Sequence, residues 1–205
     1  MRFFSLAIFL VFCLSSANAE MRNSDFIIAY KNLPNPTKSA NLTVLDVPHL
    51  RQAPNLCVPT SSAMILKFYG QPAKPRHLKQ LAENHKPKNR RNQTFTYWND
   101  MRHALRSLGQ NWKIRNYPKT NSGFARGLKE IKKSLLRGNP VMIDVHLNEG
   151  HTIVVMGFDD HRQLVFIRDP NLPRHKSRAN PYTALKESWH NHKFGANRSA
   201  FFAKK

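Results

Sequence analysis

Gln52-Ala53-Pro54-Asn55-Leu56-Cys57-Val58-Pro59-Thr60-Ser61-Ser62-Ala63-Met64-Ile65-Leu66 is the stretch from which the fold can be read. Ala53-Pro54-Asn55 is turn chemistry. From Val58 to Tyr69 the pattern predicts a helix, which Gly70 closes and Pro72 forbids from continuing. Pro59 suits its first turn, where a missing N–H costs nothing. Ser61 to Leu66 carry no charge, so this helix is small or apolar nearly all round, the mark of a helix buried in the middle of a domain. Cys57 stands just before that first turn. Free backbone N–H groups and the positive end of the helix dipole favour an anion there, hence a thiolate, and the same amides can stabilise a developing oxyanion. Gln52, five residues upstream, offers a second donor if the loop folds back.

Outward from this helix the chain divides. On the N-terminal side, residues 20–42 are polar and proline-spotted and read as an extended lead-in, and Thr43 to Val47 reads as a short strand ending at Pro48. Further helices are expected over Pro75–Glu83, Tyr97–Leu108 and Phe124–Arg137, with a strand over Trp112–Asn116. Then the period changes to two. Val141–Val145, His151–Phe158 and Leu164–Arg168 are rich in Val, Ile and Phe and read as strands, followed by a helix over Tyr182–His190 and an edge strand over Ser199–Ala203. Helices first and antiparallel strands second indicate an α+β domain: an N-terminal helical half with a buried helix, and a C-terminal antiparallel sheet.

Two residues of the strand region are candidates to act with Cys57. His151 directly follows Gly150 and begins the run Thr152-Ile153-Val154-Val155-Met156-Gly157-Phe158, which must be core and therefore holds its first side chain rigidly. His146, at the end of the preceding strand, competes for the same role. His49, His77, His85, His103, His175, His190 and His192 lie among charged or turn residues and read as exposed. Asp169 ends the next strand before Pro170, which keeps its backbone extended. A hairpin with an odd-length loop near Asp160 would set Asp169 opposite His151, with Cβ atoms about 5 Å apart. Its carboxylate would then orient the imidazole, completing a nucleophile–base–orienter set. An even-length loop would put the two on opposite faces.

The N-terminus reads as an export signal over residues 1–19: Arg2, an apolar run from Phe3 to Leu14, and the small residues Ala17 and Ala19 at cleavage spacing. Cys13 is discarded with it, and residues 20–205 remain as one domain with no transmembrane anchor. Cys57 is then the one cysteine left, so it has no internal disulfide partner. The expected location is secreted or periplasmic.

The segments Gln52 to Met64, Gly150 to Asp159 and Arg168-Asp169-Pro170 together resemble the peptidase C39-like family of papain-fold proteins. The resemblance implies a papain-like cysteine peptidase fold in which Cys57 is the nucleophile, His151 the base, Asp169 its orienter, and Gln52 part of the oxyanion hole. One residue departs from it: Val58 stands where a small residue, usually glycine, follows the nucleophile.

The expected activity is therefore hydrolysis of a peptide or amide bond by a Cys-His-Asp triad, without cofactor or metal. Two alternatives remain: acyl transfer on the same scaffold, and a cationic binding protein of the cell envelope whose triad is idle. The chain carries 33 Lys+Arg against 12 Asp+Glu, a formal net charge of +21. Its densest basic runs, Lys86 to Arg91 and Arg174 to Arg178, read as solvated faces. Such a charge draws the protein to acidic envelope polymers. No nucleic-acid motif accompanies it, and a monomer is expected.

Overall fold

The computed structural model describes residues 28–30, 37–91, 94–146, 150–173, 177–190 and 197–205. The expected export signal over 1–19 lies outside the described residues. Helix α1 (Cys57–Phe68) has every residue from Val58 to Leu66 buried. Its Met64, Ile65 and Leu66 side chains are at most 1 % exposed, and burying each contributes about 1.5–3 kcal/mol. The helix stops where Gly70 turns left-handed at φ +78° and the Gln71 N–H returns to the Leu66 carbonyl.

Three short strands precede α1: β1 (Ile28–Tyr30), β2 (Thr37–Lys38) and β3 (Leu42–Val44). After it come α2 (Pro75–Asn84), α3 (Trp98–Ser107), β4 (Lys113–Tyr117) and α4 (Asn121–Leu136). The C-terminal part supplies β5 (Val141–Val145), β6 (His151–Asp159), β7 (Leu164–Arg168), β8 (Ser177–Pro181), α5 (Tyr182–Ser188) and β9 (Arg198–Phe202). This is the expected α+β architecture, mixed helix with an antiparallel sheet.

The strands form one sheet in the order β1-β8-β7-β6-β5-β9-β4, with β3 pairing both β2 and β6. Helices cover both of its faces. Met64, Met101, Met142, Val154, Met156 and Phe201 share a core on the α1–α3 side. Leu128, Ile131, Val141, Ile143, Val155 and Trp189 share another on the α4–α5 side. Odd and even positions of β5, and of β6 as far as Met156, thus feed separate cores, as the period-two pattern requires, while Phe158 joins the α4–α5 side. One sequence expectation is corrected here. β9 is no edge strand, because it lies between β5 and β4, and β4, with Lys113, Arg115 and Asn116 exposed, ends the described sheet instead.

Candidate active site

Cys57 is the first residue of α1 and a free, half-buried thiol. The turn before it is made by Asn55 at φ +62°, a left-handed conformation that asparagine tolerates. The first intrahelical bond runs from the Thr60 N–H to the Leu56 carbonyl. The amides of Cys57 and Val58 therefore face out of the helix end, beside the sulfur. The helix is tied to β6 by Ser61, whose Oγ donates to the Thr152 carbonyl at 3.0 Å. From α3, Trp98 Nε1 donates to Thr152 Oγ1 at 3.0 Å. Both bonds end on the residue next to His151.

His151 begins β6 directly after Gly150, which has φ +97°, a backbone position that suits glycine. His151 and Asp169 meet, but not by the expected geometry. Asp159 pairs with Leu164, so the loop between β6 and β7 holds residues 160–163, an even number. Such a loop alone would put the two side chains on opposite faces. A β-bulge between Val155 and Gly157 adds one residue to β6 and reverses the parity. Beyond it the pairs are Val155↔Ile167 and Val154↔Arg168, a register that carries Asp169 level with Ile153, on the same side as His151 and diagonal to it. His151 Nε2 lies 2.7 Å from Asp169 Oδ1. Gly157 is required at the bulge, because a Cβ there would meet the Thr43 carbonyl oxygen of β3 at 2.5 Å.

Asp169 is held from several directions. Its Oδ1 also accepts from the Asn171 N–H at 2.8 Å, and Arg178 Nη1 approaches Oδ2 at 3.9 Å. His49 Nε2 lies 3.0 Å from its carbonyl oxygen, which makes that nitrogen the donor. Burial pushes the Asp169 carboxyl up, but the hydrogen bond and charge of His151, the Asn171 N–H and Arg178 together hold it below the usual carboxylate range. For His151, burial disfavours the imidazolium. Hydrogen bonds to Asp169 and to Cys57, with the electrostatic attraction of both, outweigh that and push its pKa up to about 9. With Nε2 on Asp169, the ring leaves Nδ1 for Cys57.

His49, Arg178 and His190 depart from their sequence reading. Arg178, assigned to a solvated basic run, is 9 % exposed and stands behind Asp169. Burial draws its pKa down to about 10 against the attraction of that carboxylate. In the sequence it is one of three Lys or Arg residues in the run Arg174 to Arg178, and only its pairing opposite Ile167 betrays it. His49 supports the Asp169 backbone, and His190 is buried and stacks on His146 with ring centres 5.0 Å apart. Lys86, from the other basic run, pairs with Asp100 at 2.6 Å. His146, the competing base, lies with His190, its N–H on the Ser188 carbonyl. The histidine hydrogen-bonded to Cys57 is His151.

Gln52 is held beside this cluster by its N–H, which donates to the Pro170 carbonyl at 2.8 Å, the residue after Asp169. Val58 is 6 % exposed and packs into the core as well as against the cleft. That cleft, of about 300 Å³, opens on Cys57 and is walled by Phe95 to Trp98 and floored by strands β4, β5, β6 and β9. Among the described residues, no three His, Cys, Asp or Glu side chains are grouped to hold a metal ion. No described helix is long and apolar enough to cross a membrane.

Three comparisons bear on this arrangement. The model of the Peptidase_C39 like family matches residues 44–197. The fold is similar to that of a C39-like peptidase from Bacillus anthracis, at a TM-score of 0.55 and 18 % identity, covering 79 % of this chain and 98 % of that one. It is similar as well to a double glycine motif protease from an AMS/PCAT transporter, solved in complex with the leader peptide (TM-score 0.54, 18 % identity, 79 % and 94 % covered). A third similar structure is the peptidase domain of Streptococcus ComA, a bi-functional ABC transporter involved in quorum sensing (TM-score 0.52, 18 % identity, 78 % and 99 % covered). No curated protein matches the chain.

Proposed function

The chain belongs to the Peptidase_C39 like family, and from that premise we propose that it is an exported cysteine peptidase with Cys57 as nucleophile and His151 as its base. The observation that carries this reading is the position of His151, hydrogen-bonded to Cys57 on one side and to Asp169, at 2.7 Å, on the other. His151 takes up the Cys57 proton, which makes the sulfur the attacking thiolate. The thiolate attacks the carbonyl carbon of a peptide bond, and the oxyanion that forms accepts from the Cys57 amide and from the Gln52 side chain. His151 passes its proton through Nδ1 to the leaving amine, whose departure leaves a thioester on Cys57. Water, deprotonated by the same nitrogen, then hydrolyses the thioester. Asp169 holds the Nε2 proton throughout and fixes the ring.

Trapping tests this directly. A peptide aldehyde or an electrophilic substrate mimic should add to Cys57 and to no lysine, as read by mass spectrometry. A protein that takes up none of these at Cys57 would remove the reading. Export is supported by Arg2, the apolar run Phe3–Leu14 and the Ala17/Ala19 spacing, and N-terminal sequencing of the mature protein should begin at residue 20. Association with acidic envelope polymers is supported by the net charge of +21 and by a groove that gathers Lys113, Arg115, Lys133, Arg137 and Lys204.

A further inference from the structure

The floor of the cleft is a row of polar side chains in register across four strands. Asp144 of β5 pairs with Thr152 of β6. The pairing of Ile143 with Ala200 carries on to set Asp144 opposite Ser199 of β9, and Ser199 pairs with Asn116 of β4. All four line the cleft together with Cys57. The row starts at β6, the strand of His151, and with strands about 4.8 Å apart it runs roughly 14 Å, the length of about four residues of extended peptide. Ser199 Oγ donates to Asn116 Oδ1 at 2.8 Å, and Thr152 Oγ1 accepts from Trp98, so the neighbours of Asp144 are held in place.

The charge of this floor is opposite to that of the molecule. In a chain with 33 Lys+Arg against 12 Asp+Glu, no described residue lining the cleft is basic, and Asp144 supplies a carboxylate. Tyr97 and Trp98 add aromatic rings to the wall, and the Tyr97 ring already carries a cation, Lys86 Nζ at 5.8 Å from its centre. A carboxylate facing aromatic walls is the composition that recognises an ammonium or guanidinium group. Asp144 lies one strand spacing from Thr152, which puts the recognised group within about two residues of the scissile bond.

We propose that Asp144 is a specificity-determining residue that reads a lysine or arginine side chain of the substrate beside the cleaved bond. This rests on the peptidase reading above. The long-range field of a protein at +21 favours anionic peptides, so a preference for cationic ones must arise inside the cleft.

The test uses the full mature chain and acetylated, amidated hexapeptide libraries with one position fixed as Lys, Arg, norleucine or Glu. At one position next to the scissile bond, Lys and Arg should be cleaved about tenfold or more faster than Glu, the size of one charge-assisted contact. D144N should bring that ratio close to one, D144K should invert it, and D144E, which keeps the carboxylate, should retain it. Libraries with a free α-amino group in place of the acetyl cap separate side-chain recognition from capture of an N-terminus; a cationic preference confined to the uncapped set overturns the proposal. A parallel readout needs no turnover: alkylation of Cys57 by acyloxymethyl ketones carrying Lys or Glu beside the warhead. Equal rates for the two probes, or a preference that survives D144N, would defeat the proposal alone. Absence of both cleavage and labelling would defeat the peptidase reading and this inference with it.

Discussion

Cys57 and the His151–Asp169 pair meet at one point but are positioned by opposite means. The cysteine is set by local instructions: a left-handed Asn55, a helix start, and a helix buried from Val58 to Leu66. The pair is set by long-range pairing, since Asp169 reaches His151 only because one extra residue in β6 corrects the parity of the loop over 160–163. His49 and Gln52, from the segment before α1, and Arg178, from β8, then brace the segment that carries Asp169. The proposed nucleophile is therefore robust to changes elsewhere in the fold, whereas the proposed base and its orienter inherit every error in sheet register.

The largest break in this comparison comes at the local end. C57A should lower peptide hydrolysis by about 10⁴-fold or more while leaving thermal unfolding close to that of the parent. Loss of fold instead would mean that the thiol is part of the core. D169N comes next, with an expected fall in kcat of about 10²–10⁴ and a shift in pH dependence. In the parent the alkaline limb should lie near 9, where His151 loses its proton. In D169N it should move to lower pH, because the carboxylate charge that raises His151 is gone. Stability should respond with a defined sign. His151 holds its proton more tightly folded than unfolded, so its contribution is complete below a pH of about 6.5 and fades as pH rises through about 9. An alkaline limb that stays in place in D169N would sever Asp169 from the histidine.

The long-range end can be strained without touching the chemistry. G157A drives a methyl group toward the Thr43 carbonyl and should cost about 1–3 kcal/mol by denaturant unfolding. An unchanged midpoint would mean that β3 yields freely and the bulge is not confined. The smallest effect is expected for R178M, which removes a charge 3.9 Å from Asp169 but leaves the nearer contacts. Activity should fall only a few-fold, about 1 kcal/mol or less. The acid limb should move to higher pH, because Arg178 helps to hold the carboxyl low. A loss as large as that of D169N would promote Arg178 from support to a full partner of the carboxylate.

What the sequence made legible follows the same division. The buried helix, the bounds of Val141–Val145 and Leu164–Arg168, and the start of β6 at His151 all agree with the structure, because each rests on composition and period within one segment. The bulge was not legible. It is a property of two strands against each other, and the run Val154-Val155-Met156-Gly157-Phe158 is apolar on both sides, so its period hides the extra residue. Arg178 was hidden by its basic neighbours, and the place of β9 by its dependence on pairing with β5 and β4; Arg198, just before the strand read over Ser199–Ala203, is buried and bonded to the Pro118 and Lys186 carbonyls. The cleft floor required the order of β6, β5, β9 and β4, and β9 comes last in the chain while β4 precedes all the others.

The outermost of those strands, β4, has a bearing on how the protein behaves in crowded solution. A terminal strand offers backbone donors and acceptors along which another copy can stack, the usual seed of aggregation. Here that strand presents Lys113 and Arg115, and on a molecule already at +21 an approaching copy brings the same charges to the same rim. Self-assembly along this border is opposed before any hydrogen bond can form.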